Sequence, residues 1–222
     1  MYKLDHIVLG ASSLEEGTEF IESKLDIELS NVGYHDFMGT HNRVAKIDKD
    51  IYLEVISINP VSKPQLQNRW FNLDNPTLKE NLKKTPQIIG YVVESKDKKI
   101  FKYYNSFFQA SRGKYKWSFA MPNIESNFLN CELLEKGVVP SLINWKGEKP
   151  IYQMKDNQLN LDKLEIQITK KYEEYKDFIN YVGAVEKVTL SLKNNLNDFC
   201  SNYFPRLRCF IKDIKRNKNI LL

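Results

Sequence analysis

Histidine is scarce in this chain: only His6, His35 and His41 occur in 222 residues. Any imidazole chemistry must therefore come from these three. Cysteine is equally rare, at Cys131, Cys200 and Cys209. An odd count without a CxxC spacing excludes a disulfide framework and a cysteine zinc site, and the simplest compartment is a reducing cytoplasm. No run of about 18 apolar residues occurs, so no membrane span is expected. The opening MYKLDHIVLGASSL lacks the long apolar stretch of a signal peptide and reads as a strand. Glycine-rich phosphate loops, low-complexity segments and heptad runs are also missing.

What is present is enough apolar material for a core. Hydrophobic residues make up 42% and aromatic residues 12% of the chain, which excludes disorder. Lys and Arg number 33 against 28 Asp and Glu, a net charge of +5. That mild excess suits an anionic small molecule as well as a nucleic acid. The basic stretch RLRCFIKDIKRNK near the C-terminus carries Arg206, Arg208, Lys212, Lys215, Arg216 and Lys218. Its apolar alternation and Asp213 favour a solvated edge hairpin, so nucleic acid is not the expected partner.

Element order repeats along the chain. Residues 1–60 read strand, helix, strand, strand, strand. YKLDHIVLG is the first strand. Ser13 with Glu16 three residues later is a capping box, and Leu14, Ile21 and Leu25 follow at helical spacing, with Phe20 beside them. DIELSNV, RVAKID and IYLEVISINP are read as strands, the last two parted by Asp48-Lys49-Asp50. Residues 61–85, with Pro64 and Pro76, form a connector containing a short helix over 77–84. Residues 86–150 repeat the order more loosely: PQIIGYVVES as a strand, DKKIFKYYNSFF as a helix, then KYKWSFAMP and VVPSLINWKG as strands. Residues 151–222 give an abbreviated third copy. KLEIQITK, VEKVTLSLK and RLRCFIKDI are its strands. KKYEEYKDFINYVG is its helix, with Tyr175, Phe178 and Val182 on the buried side and Gly183 as its cap.

Two side chains stand out inside apolar strands. Glu54 lies within IYLEVISI and His6 within KLDHIVLG. A carboxylate is costly to bury without a partner. An outward-facing edge strand would explain Glu54, and a single backbone partner would satisfy His6. Taken together they suit a pair, either acid and base or metal ligands. With a period of two, His6 shares a face with Leu4 and Val8. The stretch GYHDFMGTHNR adds His35, between Gly33 and Gly39, and His41, Asn42 and Arg43 just after Gly39. It reads as a glycine-punctuated loop. Arg43 offers a planar fork for an anionic group, and His35 or His41 a proton carrier near neutral pH. Trp117, Trp145 and Tyr52 are candidate apolar walls.

LDHIVLGA, GYHDFMGTHNRVAKI and IYLEVISINP together resemble the glyoxalase-like family of the vicinal oxygen chelate superfamily. SRGKYKWSFAMP and VVPSLINWKGEKP resemble its later segments. The resemblance implies an α+β fold of paired βαβββ modules, with curled mixed sheets around a cleft. Here the modules would be residues 1–60 and 86–150, with an additional C-terminal partial module at 151–222. It also implies a small-molecule ligand and the possibility of a homodimer, since such modules pair within or between chains. His6 and Glu54 match the metal-ligand positions of the first module, which implies one divalent ion. The matching second-module positions carry Gly90 or Tyr91 and Asn144 instead. The activity implied is a lyase or isomerase acting on a small anionic or carbonyl substrate, with Glu54 and His6 catalytic. His35, His41, Asn42, Arg43, Trp117 and Trp145 would bind that substrate. The alternative is a non-catalytic binding or resistance protein of the same fold.

Overall fold

The computed structural model describes residues 2–63, 65, 69–95, 104, 107–122, 137–169, 180, 181, 183–193 and 207–222. Its first unit runs β1 (Lys3–Gly10), α1 (Leu14–Leu25), β2 (Gly33–His35), β3 (Thr40–Lys46) and β4 (Tyr52–Ile58). Ser13 caps α1 by accepting from the Glu16 amide at 3.1 Å, and Leu14, Ile21 and Leu25 are buried, as their spacing predicts. A short helix α2 (Pro76–Leu82) follows, capped by the Asn75 side chain. The second unit is β5 (Gln87–Glu94), β6 (Phe108–Arg112), β7 (Tyr115–Ala120) and β8 (Ser141–Trp145). The last strands are β9 (Leu159–Thr169), β10 (Val188–Lys193), β11 (Leu207–Asp213) and β12 (Lys218–Leu221).

Eight strands form one sheet in the order β2-β3-β4-β1-β5-β8-β7-β6. In each half the first strand lies parallel to the last, β1 beside β4 and β5 beside β8, and the middle strands are antiparallel. The two halves join through the antiparallel pair of β1 and β5. This is the α+β architecture of paired, curled, nearly barrel-like modules. The remaining four strands form a second sheet, β10-β9-β11-β12.

The large sheet separates two apolar clusters. Leu4, Ile7, Leu9, Leu53, Val55, Tyr91 and Val93 face α1 and the second sheet. Val8, Ile56, Val92, Trp117, Phe119 and Ile143 face the inside of the curl, together with Trp70 and Leu73 from the segment before α2. Buried Asp48 ties the two sheets, accepting from Lys187 Nζ at 2.5 Å and from the Leu161 amide at 2.8 Å. Arg216, in the turn between β11 and β12, pairs with Asp213 and reaches Asp26 at the end of α1. No helix among the described residues is long and apolar enough to cross a membrane.

Several local readings change. Residues 26–32 form no strand. The Ser30 amide donates to the Val44 carbonyl and the Val44 amide to Ser30 Oγ, so the chain follows β3 irregularly. GYHDFMGTHNR is a tight hairpin: β2 pairs with β3 across a turn closed at Gly39, whose φ of 60° and ψ of 40° favour glycine, but its His35 and Asn42 are buried rather than solvated. Leu4 does not share the face of His6, because a bulge between them shifts the register against β5. The helix expected over 97–108 lies largely outside the described residues, but Phe108 already belongs to β6. The expected helix over 170–183 also lies mostly outside them. β12 went unread.

Candidate active site

Strand alternation builds one wall of the cleft. Tyr52, Glu54 and Ile56 point inward from β4, and Leu53 and Val55 point the other way. In β1, Val8 pairs with Glu54 in parallel register and His6 with Tyr52. In β3, Thr40, Asn42 and Val44 take the inner face. In β2, His35 opposes Thr40.

These positions assemble a buried polar network. His6 and Glu54 are 4% and 6% exposed. His6 Nε2 lies 3.4 Å from Glu54 Oε2, and His6 Nδ1 lies 2.6 Å from Asp5 Oδ1. Asn42 Nδ2 donates to Glu54 Oε1 at 2.5 Å. Tyr52 stacks on the His6 ring at 4.5 Å between centroids. The bulge that turns Leu4 away brings Asp5 into this network, where its second oxygen accepts from Trp145 Nε1 at 2.8 Å.

The two inner histidines are driven in opposite directions. Burial disfavours the His6 imidazolium, but hydrogen bonds to Asp5 and Glu54 and their charges outweigh it, raising its pKa to about 9. His6 is thus a cation at neutral pH and donates from both nitrogens. Burial likewise opposes the Glu54 carboxylate, but the hydrogen bond and charge of His6 hold its pKa below the ordinary carboxylate value. His35 is lowered to about 4, first by burial and further by the Arg112 and His6 charges, against the opposing pull of Glu54. Its hydrogen bonds agree. Arg112 Nη1 donates to His35 Nε2 at 3.2 Å, which requires a lone pair there. The proton therefore sits on Nδ1, 3.4 Å from Thr40 Oγ1, which also accepts from Trp70 Nε1.

The second unit supplies a largely aromatic wall of Trp117, Phe119 and Trp145, with the aliphatic Ile143, and the segment before α2 adds Trp70 and Phe71. All three tryptophans of the chain line this one cavity. Its free space is about 40 Å³.

Among the residues singled out in the sequence, His6, Glu54, His35, Asn42, Trp117, Trp145 and Tyr52 line the cavity. His41 and Arg43 do not. They alternate with Asn42 along β3 and so take its outer face, where Arg43 donates to the Ser30 carbonyl at 3.1 Å. Asp5, Arg112, Thr40 and Trp70 were not singled out. Asp5 and Arg112 stand inside the quoted LDH and SRG segments, but nothing local marks either as facing a cavity.

A divalent ion does not fit this donor set. His6 Nε2 and Glu54 Oε2 are two candidate ligands, but no group of three His, Cys, Asp or Glu side chains among the described residues is placed to hold a metal. The neighbouring acceptors, Asn42 Oδ1 and His35 Nε2, are held by the Arg112 guanidinium, itself a cation.

The model of the glyoxalase-like domain matches residues 4–177. The chain belongs to this family. Within the glyoxalase-like fold, a hypothetical protein from Staphylococcus aureus is similar at 13% identity, covering 88% of this chain and 87% of its own, with a TM-score of 0.62. The methylmalonyl-CoA epimerase of Mycobacterium tuberculosis is similar at 11% identity over 68% of this chain and 91% of its own, with a TM-score of 0.42. A Streptomyces coelicolor methylmalonyl-CoA epimerase variant, in complex with 2-nitronate-propionyl-CoA, is similar at 14% identity over 64% and 95%, with a TM-score of 0.41. No curated protein matches the chain.

Proposed function

We propose that this glyoxalase-like protein binds a small anionic or carbonyl compound in the cleft and moves a proton at the carbon beside its carbonyl group, as a lyase or isomerase. The observation that carries this reading is the buried pair of His6 imidazolium and Glu54 carboxylate, 3.4 Å apart and facing one aromatic cavity. That contact is long for a charged hydrogen bond. A substrate carbonyl oxygen entering here accepts from His6 Nε2–H in its place. Glu54 Oε2 then takes the proton from the adjacent carbon. The C–H electron pair becomes the C=C bond of an enolate and the carbonyl π pair moves onto oxygen, where the imidazolium holds the developing charge. Return of the proton from Glu54 to the γ-carbon of a β,γ-unsaturated substrate completes an isomerisation, and loss of a β-substituent, which leaves with its bonding pair and takes the proton from Glu54, completes a lyase reaction. Asp5 keeps the imidazole oriented and charged. The aromatic wall excludes water and strengthens both interactions.

The test follows the exchange of carbon-bound protons for deuterium in D2O, read by NMR, over a panel of small 2-oxo and 3-oxo acids. Wild type exchanges at least one of them, and Glu54→Gln slows that exchange by about a thousandfold, within the range of a lost general base, while still binding it. Exchange by Glu54→Gln at the wild-type rate overturns the proposal. One observation favours a second reading, sequestration without turnover. Glu54 is met by His6 and Asn42, and Asn42 and His35 are met by Arg112, so the site is complete without chemistry. Binding without exchange in wild type selects it.

A further inference from the structure

β2 and β6 are the two ends of the eight-stranded sheet. The sheet curls until these ends approach each other, but no backbone ladder joins them. Among the described residues the hydrogen bonds across this seam come from one side chain: Arg112 of β6 reaches His35 Nε2 of β2 at 3.2 Å and Asn42 Oδ1 of β3 at 2.9 Å, both from Nη1. Gly33 makes room for it. A Cβ at that position would stand 2.0 Å from Arg112 Nη1 and 2.8 Å from Cζ. Both partners are neutral, and Arg112 has no carboxylate partner among the described residues. A half-buried guanidinium held only by neutral acceptors is open to a stronger, bidentate one.

Outside the seam lies a groove of about 850 Å³. Arg112, Tyr115, Val44 and Pro150 line both this groove and the inner cavity, and so form the throat between them. The inner cavity, with about 40 Å³ free, holds little more than a few waters. A ligand of ordinary size cannot be contained there. Tyr34, 55% exposed, and Asn31 stand on the groove alone.

We propose that Arg112 is the anion receptor of this site, and that the groove outside the β2–β6 seam is a second half-site taking the body of a carboxylate-bearing ligand. The ligand carboxylate replaces Asn42 and His35 as partner of the guanidinium, and the seam opens toward the chamber. This rests on the cleft being a small-molecule site, but not on turnover.

Quenching of tryptophan fluorescence reports binding directly, since all three indoles line the chamber. The probes are pyruvate and 2-oxooctanoate, each with its amide. In wild type the long acid binds at least tenfold tighter than its amide and tighter than pyruvate. Arg112→Gln brings the acid-to-amide ratio close to one, and Arg112→Lys keeps part of the acid preference. Asn31→Phe, which narrows the groove, removes the advantage of the long acid over pyruvate and leaves pyruvate unchanged. An acid preference that survives Arg112→Gln in folded protein overturns the receptor. A length advantage that survives Asn31→Phe overturns the half-site, and failure of every acid to bind at millimolar concentration overturns both. Binding that follows this pattern without deuterium exchange supports the inference while sinking the catalytic reading.

Discussion

The two walls of the cleft share one topology and differ in chemistry. β1, β3 and β4 aim His6, Asn42 and Glu54 inward. Their counterparts β7 and β8 aim Trp117, Phe119, Ile143 and Trp145 at the same space. The fold dictates which positions look inward, and the side chains there decide what each wall does. Neither wall suffices alone. A charged pair is weak in water, and an aromatic pocket has nothing to donate or accept. Across one cleft, the apolar wall lowers the local dielectric in which the polar wall operates. Trp145 joins the two, as its indole N–H on Asp5 fixes the carboxylate that orients His6.

The comparison breaks hardest at Glu54 and Trp117. Glu54→Ala removes one partner of a buried ion pair and costs about 3–5 kcal/mol. Trp117→Ala opens a cavity and costs about the same, 3–5 kcal/mol. Urea unfolding measures both. The walls separate in their pH response: the Glu54→Ala penalty changes between pH 6 and 9.5, and that of Trp117→Ala stays flat. Equal pH profiles for the two variants would mean that the walls do not divide the work in this way.

The histidines sharpen the same contrast by about 3 kcal/mol. His6 has a folded pKa near 9, above its unfolded value near 6.5. Its contribution is complete below about pH 6.5 and is lost as pH rises through 9, a loss on the order of 3 kcal/mol. His35 is displaced the other way, to about 4. The unfolded chain therefore takes up its proton first, and stability falls as pH drops from about 6.5 toward 4. Stability measured against pH should peak between these two losses. His6→Gln removes the alkaline loss and His35→Gln the acid one. An alkaline loss that persists in His6→Gln would assign it to another group.

Much of the fold was legible because it is written in short-range pattern. Ser13 and Glu16 mark the start of α1, and alternation in IYLEVISI places Glu54 opposite Leu53 and Val55. The site was legible only in part. Asp5 enters through a bulge, which breaks the alternation that a strand reading relies on. Arg112 meets His35 across 77 positions of chain, and Trp70 comes from a segment that reads as connector. Those contacts depend on how far the sheet curls, and no local spacing encodes that.

The smallest effect belongs to Arg43, the other arginine tested by this contrast. It has the same fork as Arg112, but the pleat of β3 turns it to the outer face, one residue beyond Asn42, where it donates to the Ser30 carbonyl. Arg43→Ala loses one partly exposed hydrogen bond, about 1 kcal/mol at most in urea unfolding. It should leave the tryptophan response to 2-oxooctanoate within twofold of wild type, where Arg112→Gln weakens it at least tenfold. Both variants lose one positive charge, so net charge cannot explain a difference between them. Equal weakening by both would mean that the acid is drawn by the general positive field. Loss through Arg112 alone locates the recognition at the seam.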